Sequence, residues 1–258
     1  MWPHDITLGP VTFGLYGLAL VLAVLAALPL LGLTAPKAGV SPKKAFDLGF
    51  WLIVAGLAGS RAAYVLFHPK SFAHSPLSAL KYWEGGLMFQ GGLIAGLALA
   101  ITLAAMGRFR FLPMADAIAP ALALGQAIGR VGCLLAGCCY GRLAPGGFPL
   151  ALTFPRGALA PAGIPLYPTQ AAESIGLFLL TYILIRLLGR PRPAGLVLAA
   201  YLALAGLIRF SVDLFRGDFR GPKTLGLAPT SWVALAAMLS GLALGLWLLA
   251  RKRPVTRK

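Results

Sequence analysis

Seven apolar segments, each close to the length needed to cross a membrane, constrain this chain more than any other feature. A transmembrane helix needs about 20 predominantly apolar residues. The segments cover residues 11–33, 45–67, 87–106, 113–136, 168–188, 194–212 and 230–250. Only 12% of the 258 residues are charged, whereas soluble domains contain about 25%. We therefore predict an all-α polytopic membrane protein in which residues 1–258 form a single transmembrane domain.

Basic residues in the connecting segments predict the orientation of the chain. If the N-terminus is outside, the inner segments contain almost twice as many lysines and arginines as the outer ones, as the positive-inside rule requires. This predicts seven transmembrane helices, an external N-terminus, a cytoplasmic C-terminus and a small exported loop region at 137–168, between spans four and five. Residues 1–11 contain no lysine or arginine, so we expect this segment to be retained rather than cleaved as a signal peptide.

The formal net charge of +16 would suggest nucleic-acid binding in a soluble protein. Here the topology accounts for most of the charge, and we predict no nucleic-acid partner. Attraction to anionic lipid is the alternative explanation.

Three arginines, Arg61, Arg130 and Arg209, lie within predicted spans. An arginine in hydrocarbon costs about 2.5–3.5 kcal/mol on insertion scales, so it needs a partner or a ligand. The predicted topology places all three in the outer halves of their spans, where Glu173 and Asp213 are the nearest acids. We therefore expect a site with net positive charge toward the outer leaflet. The alternative is that these arginines extend to the interface or form purely structural ion pairs.

Arginine is suited to phosphate because its planar guanidinium donates two parallel hydrogen bonds and keeps its charge. In a membrane, the corresponding ligand is a phospholipid headgroup. Other polar residues are predicted at the same depth, and they are Tyr16, Gln90, Gln170 and Glu173. Gln170 and Glu173 are three residues apart and therefore share a helix face, while paired glycines flank Gln90 on both sides.

The three cysteines of the chain, Cys133, Cys138 and Cys139, lie within seven residues. This is not the pattern of a secreted disulfide framework, and the spacing without a nearby histidine is a weak metal signal. We expect small, buried apolar side chains and predict neither a metal nor a cofactor. A redox or metal element on the outer side is the alternative.

Four motifs resemble the signatures of the prolipoprotein diacylglyceryl transferase family. Residues 129–141, GRVGCLLAGCCYG, are similar to the family pattern G-R-x-G-N-F-x-N-x-E-x-x-G. Residues 85–92 (GGLMFQGG), 167–173 (YPTQAAE) and 209–216 (RFSVDLFR) are similar to GG-x-x-x-HGG, H-P-[ST]-Q-x-x-E and R-F-x-x-E-x-x-R. Tyr16 and the spacing of Gly59, Arg61 and Tyr64 also fit, so the resemblance extends over nearly the whole chain.

The resemblance implies transfer of the diacylglyceryl group from phosphatidylglycerol to the lipobox cysteine thiol of a preprolipoprotein, in the bacterial cytoplasmic (inner) membrane. A thioether forms and glycerol phosphate leaves. The candidate catalytic residues are Arg130, Arg209, Gln90 and Asp213. The candidate substrate-binding residues are Tyr16, Arg61, Cys133, Cys138, Gly141, Gln170, Glu173 and Arg216.

Among the departures from the family pattern, three bear on the chemistry: Gln90 replaces a histidine, Cys133 an asparagine and Cys138 a glutamate. Glutamine cannot act as a general base. A free thiol has a pKa of about 8.5, and nearby arginines would favour its ionised form, so no dedicated base is required. Asp213, Asp218 or Glu173 could also accept the proton.

The departures also leave other functions open. One is a family paralogue with a different acceptor, and another is a transporter that uses the arginines only to bind lipid. A thiol oxidoreductase is a third alternative, although the chain lacks a C-x-x-C pair.

Overall fold

The computed structural model describes residues 5–8, 11–72, 75–81 and 86–251. Its described part contains seven long α-helices and one short α-helix, with two short 3-10 helices at Pro36–Ala38 and Pro76–Leu80. The α-helices are α1 (Leu15–Thr34), α2 (Pro42–Phe67), the short α3 (Pro69–Phe72), α4 (Phe89–Ala105), α5 (Phe111–Ala136), α6 (Thr169–Leu188), α7 (Leu196–Asp213) and α8 (Pro229–Ala250). Six of them, α1, α2 and α5 to α8, are long and apolar enough to cross a membrane, while α4 is apolar but shorter. The chain is therefore a multi-pass helical membrane protein.

The first predicted span begins too early. Two short strands, β1 (Asp5–Leu8) and β2 (Val11–Gly14), pair antiparallel ahead of α1, with Ile6 opposite Phe13. The β-branched and aromatic residues at 11–13 suit an extended backbone, and helix α1 begins only at Leu15. Hydropathy predicts a helix at residues 11–14 because they continue the apolar run.

The other predicted spans agree with the helices to within three residues at each end. Helix α5 ends at Ala136, as predicted. Helix α2 begins at Pro42, three residues before the predicted span, because proline is favoured at the first helical position. The basic residues at 252–258 and Gly85, the first glycine of one predicted motif, lie outside the described residues.

Helix α5 packs against α1, α6 and α7 and lies at the centre of the bundle. Small buried residues on one side of α5, such as Ala119 and Ala123, pack against α6 and α7. On another side, Ala117 and Ala121 pack against α1 and the start of α2. Small residues let helix backbones approach closely in lipid, where packing rather than the hydrophobic effect holds helices together.

Hydrogen bonds between helices add to this packing. Thr34 donates to the carbonyl of Ala117 at 2.9 Å, and Ser174 donates to the carbonyl of Ala127 at 2.9 Å. Near the N-terminus of α5, the buried carboxylate of Asp116 accepts the backbone N–H groups of Gly195 and Leu198, each at 2.8 Å. Asp116 thereby satisfies free donors at the start of α7.

Glycines bring α2 and α4 into backbone contact. A Cβ atom at Gly92 would lie 2.8 Å from the carbonyl oxygen of Gly56, and one at Gly91 would collide with the backbone of Gly59 and the side chain of Ala63. Helix α4 therefore depends on α2 for its position.

The segment at 137–168, between α5 and α6, is irregular. Leu143 and Leu152 each form an isolated bridge with Leu166, and Phe154, Ala160 and Leu166 form a small buried cluster. Its first residues also pair with the end of α7, through a bridge between Gly141 and Arg216. The segment therefore connects the C-terminal ends of α5 and α7 with the N-terminal end of α6.

Candidate active site

Glu173 on α6 joins arginines from two other helices. Its Oε2 lies 3.0 Å from Nε of Arg130 on α5, and Nη1 of Arg209 on α7 donates to both carboxylate oxygens at 3.2 Å. The side chain of Glu173 is 6% exposed, whereas those of Arg130 and Arg209 are 21% and 22% exposed. The carboxylate fixes both arginines while leaving part of each guanidinium accessible to a ligand.

Asp213 continues the network at the end of α7. Its Oδ1 lies 3.3 Å from Nε of Arg209, and its Oδ2 lies 2.8 Å from Nη1 of Arg220. Oδ2 also accepts hydrogen bonds from Thr230 at 2.8 Å and Ser231 at 3.1 Å. The side chain of Asp213 is fully buried, and its contacts hold Arg209 in place.

Asp218 links Arg220 to Arg216. Nε and Nη2 of Arg216 donate to the two oxygens of Asp218 at 2.9 and 2.6 Å, and Nε of Arg220 lies 3.8 Å from Asp218. Burial lowers the pKa of Arg216, but the hydrogen bond to Asp218 and the neighbouring thiol and carboxylates raise the pKa further, and the net shift is upward. Within the described residues, Nη1 of Arg216 is buried without a hydrogen-bond partner.

Together these side chains form a continuous alternation of charge, which we call the arginine chain. Its members in order of contact are Arg130, Glu173, Arg209, Asp213, Arg220, Asp218 and Arg216. Four arginines and three carboxylates give it an excess of one positive charge. A buried network of this composition is suited to an additional anion.

Gly137 brings two of the cysteines together. It has a φ of 72° and ends α5 with a Schellman motif, in which Cys138 N–H donates to the carbonyl of Cys133 at 3.1 Å and Gly137 N–H to that of Leu134 at 3.3 Å. This turn folds Cys138 back over Cys133. Cys139 follows with a φ of 61°, in a region that residues with a side chain rarely adopt.

As a result, the three sulfur atoms of Cys133, Cys138 and Cys139 lie within 4.8 Å of one another. Nη1 of Arg130 lies 3.9 Å from the sulfur of Cys133, so the thiols adjoin the arginine chain. Hydrogen bonding with Cys133 and Cys138 lowers the pKa of Cys139, burial opposes this, and the charges of Arg216 and Arg130 lower it further. Hydrogen bonding with Cys133 and Cys139, together with burial, raises the pKa of Cys138.

The start of α6 holds the cysteine turn from its other side. Nε2 of Gln170 donates to the carbonyl of Cys138 at 2.9 Å, and Oγ1 of Thr169 donates to that of Cys139 at 3.0 Å. Both side chains are buried. Gln170, a predicted substrate-binding residue, therefore contacts the protein backbone here.

Two further predicted residues lie at this end of the bundle. The ring of Tyr16 lies against α5, since a Cβ atom built on Gly132 would be 3.4 Å from its Cδ2, and Tyr16 is 43% exposed. Gly141 contacts Tyr167 so closely that any side chain at position 141 would collide with it. The close approach of the Tyr167 backbone thus explains why position 141 is a glycine.

Arg61 and Gln90 are not members of the arginine chain. The guanidinium of Arg61 donates to four backbone carbonyls, those of Ser78, Ala79, Lys81 and Gly86, at 2.7 to 3.1 Å. Arg61 is 4% exposed. These contacts hold the segment that leads into α4, where Gln90 lies exposed in the first turn.

Sequence reasoning did not single out Arg220, Thr230, Ser231 or Thr169. Arg220 lies between the predicted spans at 194–212 and 230–250, and no periodicity indicates that this segment folds back onto Asp213. The excess of cations over acids in the sequence could have indicated these further contacts. When acids are few, each buried carboxylate attracts more than one arginine.

The fold and the site define a polytopic helical membrane protein with a cationic site, suited to a phosphate group, beside three thiols. The profile of the family described as prolipoprotein diacylglyceryl transferase matches residues 3–247. The chain belongs to this family.

Curated relatives show the same similarity. A Clostridium perfringens protein named phosphatidylglycerol–prolipoprotein diacylglyceryl transferase 2 is 33% identical over 250 residues, with 93% of each chain covered. Proteins named phosphatidylglycerol–prolipoprotein diacylglyceryl transferase are 33% identical in Burkholderia multivorans, covering 97% of this chain and 95% of that protein, and 34% identical in a Nostoc species, covering 98% and 91%.

Proposed function

We propose that this protein transfers the diacylglyceryl group of phosphatidylglycerol to the thiol of a prolipoprotein, at its lipobox cysteine. The observation that carries the proposal is the placement of Arg130 and Arg209 on one carboxylate, Glu173, in a chain whose relatives are named for this reaction. The shared carboxylate spaces two phosphate-binding groups at a fixed separation.

The arginines act on the phosphate of the donor lipid. The acceptor sulfur forms a bond to the glycerol carbon of the diacylglyceryl group, and the carbon–oxygen bond to phosphate breaks. The phosphate oxygen takes the electron pair and leaves as glycerol phosphate, while the thiol proton passes to water. Arg130 and Arg209 stabilise the charge that develops on this oxygen, because they are already oriented in a partly buried site and need not reorganise.

The carboxylates serve to position the arginines. Every oxygen of Glu173 and Asp213 has an arginine within 3.3 Å, and Asp213 also accepts two hydroxyl donors. We therefore assign Asp213 the role of a positioning residue for Arg209 rather than that of the proton acceptor. Arg216 contributes a further buried donor, Nη1, for an anion.

We also propose seven membrane crossings in a bacterial inner membrane, with the N-terminus outside and the C-terminus in the cytoplasm. Helix α4 has 17 residues, at the lower limit of the range of about 17–25 that spans hydrocarbon. Its glycine contacts with α2 favour a passage through the bilayer alongside that helix. In this orientation, the segment at 137–168 and the arginine chain lie toward the outer leaflet, within one domain.

A transfer assay tests the proposed activity. The full chain is reconstituted in vesicles that contain either phosphatidylglycerol or phosphatidylethanolamine, and a lipobox peptide is added. Mass spectrometry should detect a diacylglyceryl thioether on the peptide cysteine with phosphatidylglycerol, and at least about tenfold less with phosphatidylethanolamine, whose headgroup makes a different leaving group.

A relative such as the Clostridium perfringens protein serves as the positive control. If the relative forms the thioether and this chain forms none with either lipid, the proposed function is wrong. In that case Gln90, Cys133 and Cys138 indicate a different donor or acceptor.

A further inference from the structure

The three thiols at the end of α5 adjoin the arginine chain, whose own links are made by carboxylates. Cys133 lies in the last turns of the helix and is buried, while Cys138 and Cys139 are partly exposed. Their sulfur atoms converge from a single turn to within 4.8 Å of one another. Such convergence of soft ligands is the arrangement that zinc and other thiolate-binding ions prefer.

The geometry is close to that of a zinc site. Zinc–sulfur bonds of about 2.3 Å in a tetrahedral site place the sulfurs about 3.8 Å apart, so these sulfurs need to approach one another by about 1 Å at most. Rotation of the cysteine side chains can supply this movement, so the backbone of the turn need not change. The Schellman motif at Gly137 and the hydrogen bonds from Gln170 and Thr169 hold the carbonyls of the turn.

The surroundings compensate the charge of such a site. Three thiolates and one Zn²⁺ carry one negative charge, and the adjoining arginine chain carries one positive charge in excess. Arg130, which lies 3.9 Å from the sulfur of Cys133, is the point of contact between the two. A zinc–thiolate centre with a net negative charge is therefore electrostatically favoured at this position. A cation without the thiolates would be repelled by the four arginines.

We propose that Cys133, Cys138 and Cys139 bind Zn²⁺ and that the open fourth position of the metal takes the acceptor thiol. Catalytic zinc sites keep one position open beside three protein ligands. The first part, metal binding, stands on the three thiols alone, and the second part rests on the proposed diacylglyceryl transfer.

The metal accounts for the proton of the acceptor. A thiol that coordinates zinc loses its proton to water, and its sulfur then attacks the glycerol carbon of the donor lipid. The sulfur–carbon bond forms, the carbon–oxygen bond breaks, and the phosphate oxygen next to the arginines takes the electron pair. The product thioether carries no charge and is a weak ligand for zinc, so it leaves the metal. No titrating side chain is required at Gln90.

Metal binding is measured first, independently of activity. The full chain, purified in detergent and fully reduced, is analysed for metal content and then stripped and titrated with Zn²⁺ and Cd²⁺. We expect one metal per chain and sulfur-to-cadmium charge-transfer absorption. Cys133→Ser should weaken zinc binding by at least about 10–100-fold, whereas Cys138→His, which keeps a zinc ligand, should retain binding. Thermal melting of each variant shows whether it is folded.

The transfer assay is then repeated with metal-free and zinc-loaded protein. We expect thioether formation to be lost on stripping and restored by Zn²⁺ but not by Mg²⁺. If the reduced chain binds no zinc, or if Cys133→Ser and Cys138→Ser bind it as tightly as the unchanged chain, the metal site is wrong. If the metal-free chain forms the thioether at full rate, the role of zinc is overturned while the transferase function stands. If the chain binds zinc but forms no thioether, the metal site stands, and the transferase function and the role of zinc in it fail together.

Discussion

Nε of Arg130 lies 3.0 Å from Oε2 of Glu173, on a neighbouring helix, and this contact determines where the guanidinium of Arg130 can point. The same carboxylate binds Arg209. A ligand that approaches both arginines therefore meets two cations whose separation is set by one acid. Removal of that acid should affect catalysis more than overall binding of the lipid.

Glu173→Gln tests this relationship. The amide is nearly isosteric but neutral, so Arg130 and Arg209 lose their common counter-ion and repel each other. We expect kcat/KM for diacylglyceryl transfer to fall by about 10–100-fold. Thr181→Val on the same helix is the matched control, because the Thr181 hydroxyl donates to the carbonyl of Leu177 within its own helix. Equal activities of the two variants would argue against a shared counter-ion.

Arg61→Lys separates a structural arginine from a ligand-binding one. Lysine keeps the charge but cannot reproduce the planar donors that reach four backbone carbonyls around 78–86. We expect a loss of about 2 kcal/mol in stability, or a melting temperature lower by about 4–8 °C. The KM for phosphatidylglycerol should stay unchanged. An increased KM with an unchanged melting temperature would place Arg61 in the lipid site instead.

Gly91→Ala tests the contact that places α4. The added methyl group would collide with the backbone of Gly59 and with Ala63, and overpacking of this kind costs about 1–3 kcal/mol. Gly32→Ala is the control, since nothing lies within 4 Å of a Cβ atom there. It should raise stability by about 0.5–1 kcal/mol, because alanine is the better helix former. Thermal unfolding in detergent compares the two variants, and a stable Gly91→Ala protein would rule out the close helix contact.

Gly137→Ala tests the turn that gathers the cysteines. A side chain at a φ of 72° costs roughly 1–2 kcal/mol, and this Cβ would also lie 2.9 Å from the Cβ of Ala158. Gly147→Ala carries the same backbone strain at a φ of 79° without any neighbour within 4 Å. We expect both variants to lose stability but only Gly137→Ala to lose transfer activity. Similar activity in the two would show that the cysteine turn has no part in the reaction.

Hydropathy predicted the helices well because membrane spans depend on length and apolar content alone. The end of α5 at Ala136 was also marked by a glycine that can adopt a positive φ. The predicted start of the first span was wrong because an apolar run does not distinguish a strand from the first turn of a helix. Only the pairing of residues 5–8 with 11–14 separates the two.

The sequence predicted which arginines lie within helices, but it did not predict which helices are neighbours. Arg61, Arg130 and Arg209 were correctly grouped as arginines within helices, yet hydropathy does not report which helices are neighbours. Arg61 contacts the segment before α4, whereas Arg220, from the loop after α7, joins Asp213. The approach of Cys138 to Cys133 could have been expected from Gly137 alone, because a glycine at the end of a helix turns the next residue back over the last turn.

The rate of thioether formation by Arg130→Lys tests the central claim most directly. The assay contains phosphatidylglycerol and a lipobox peptide, and product is counted by mass spectrometry. Lysine keeps one charge but loses the forked donors, so we expect kcat to fall by about 10²–10³-fold, the effect of removing one donor to a developing oxyanion. Arg186→Lys is the control, since Arg186 lies over the ring of Tyr182 on α6, apart from the arginine chain. This variant should form thioether at the rate of the unsubstituted protein. If Arg130→Lys forms thioether as fast as Arg186→Lys, phosphate stabilisation by the arginine chain is contradicted.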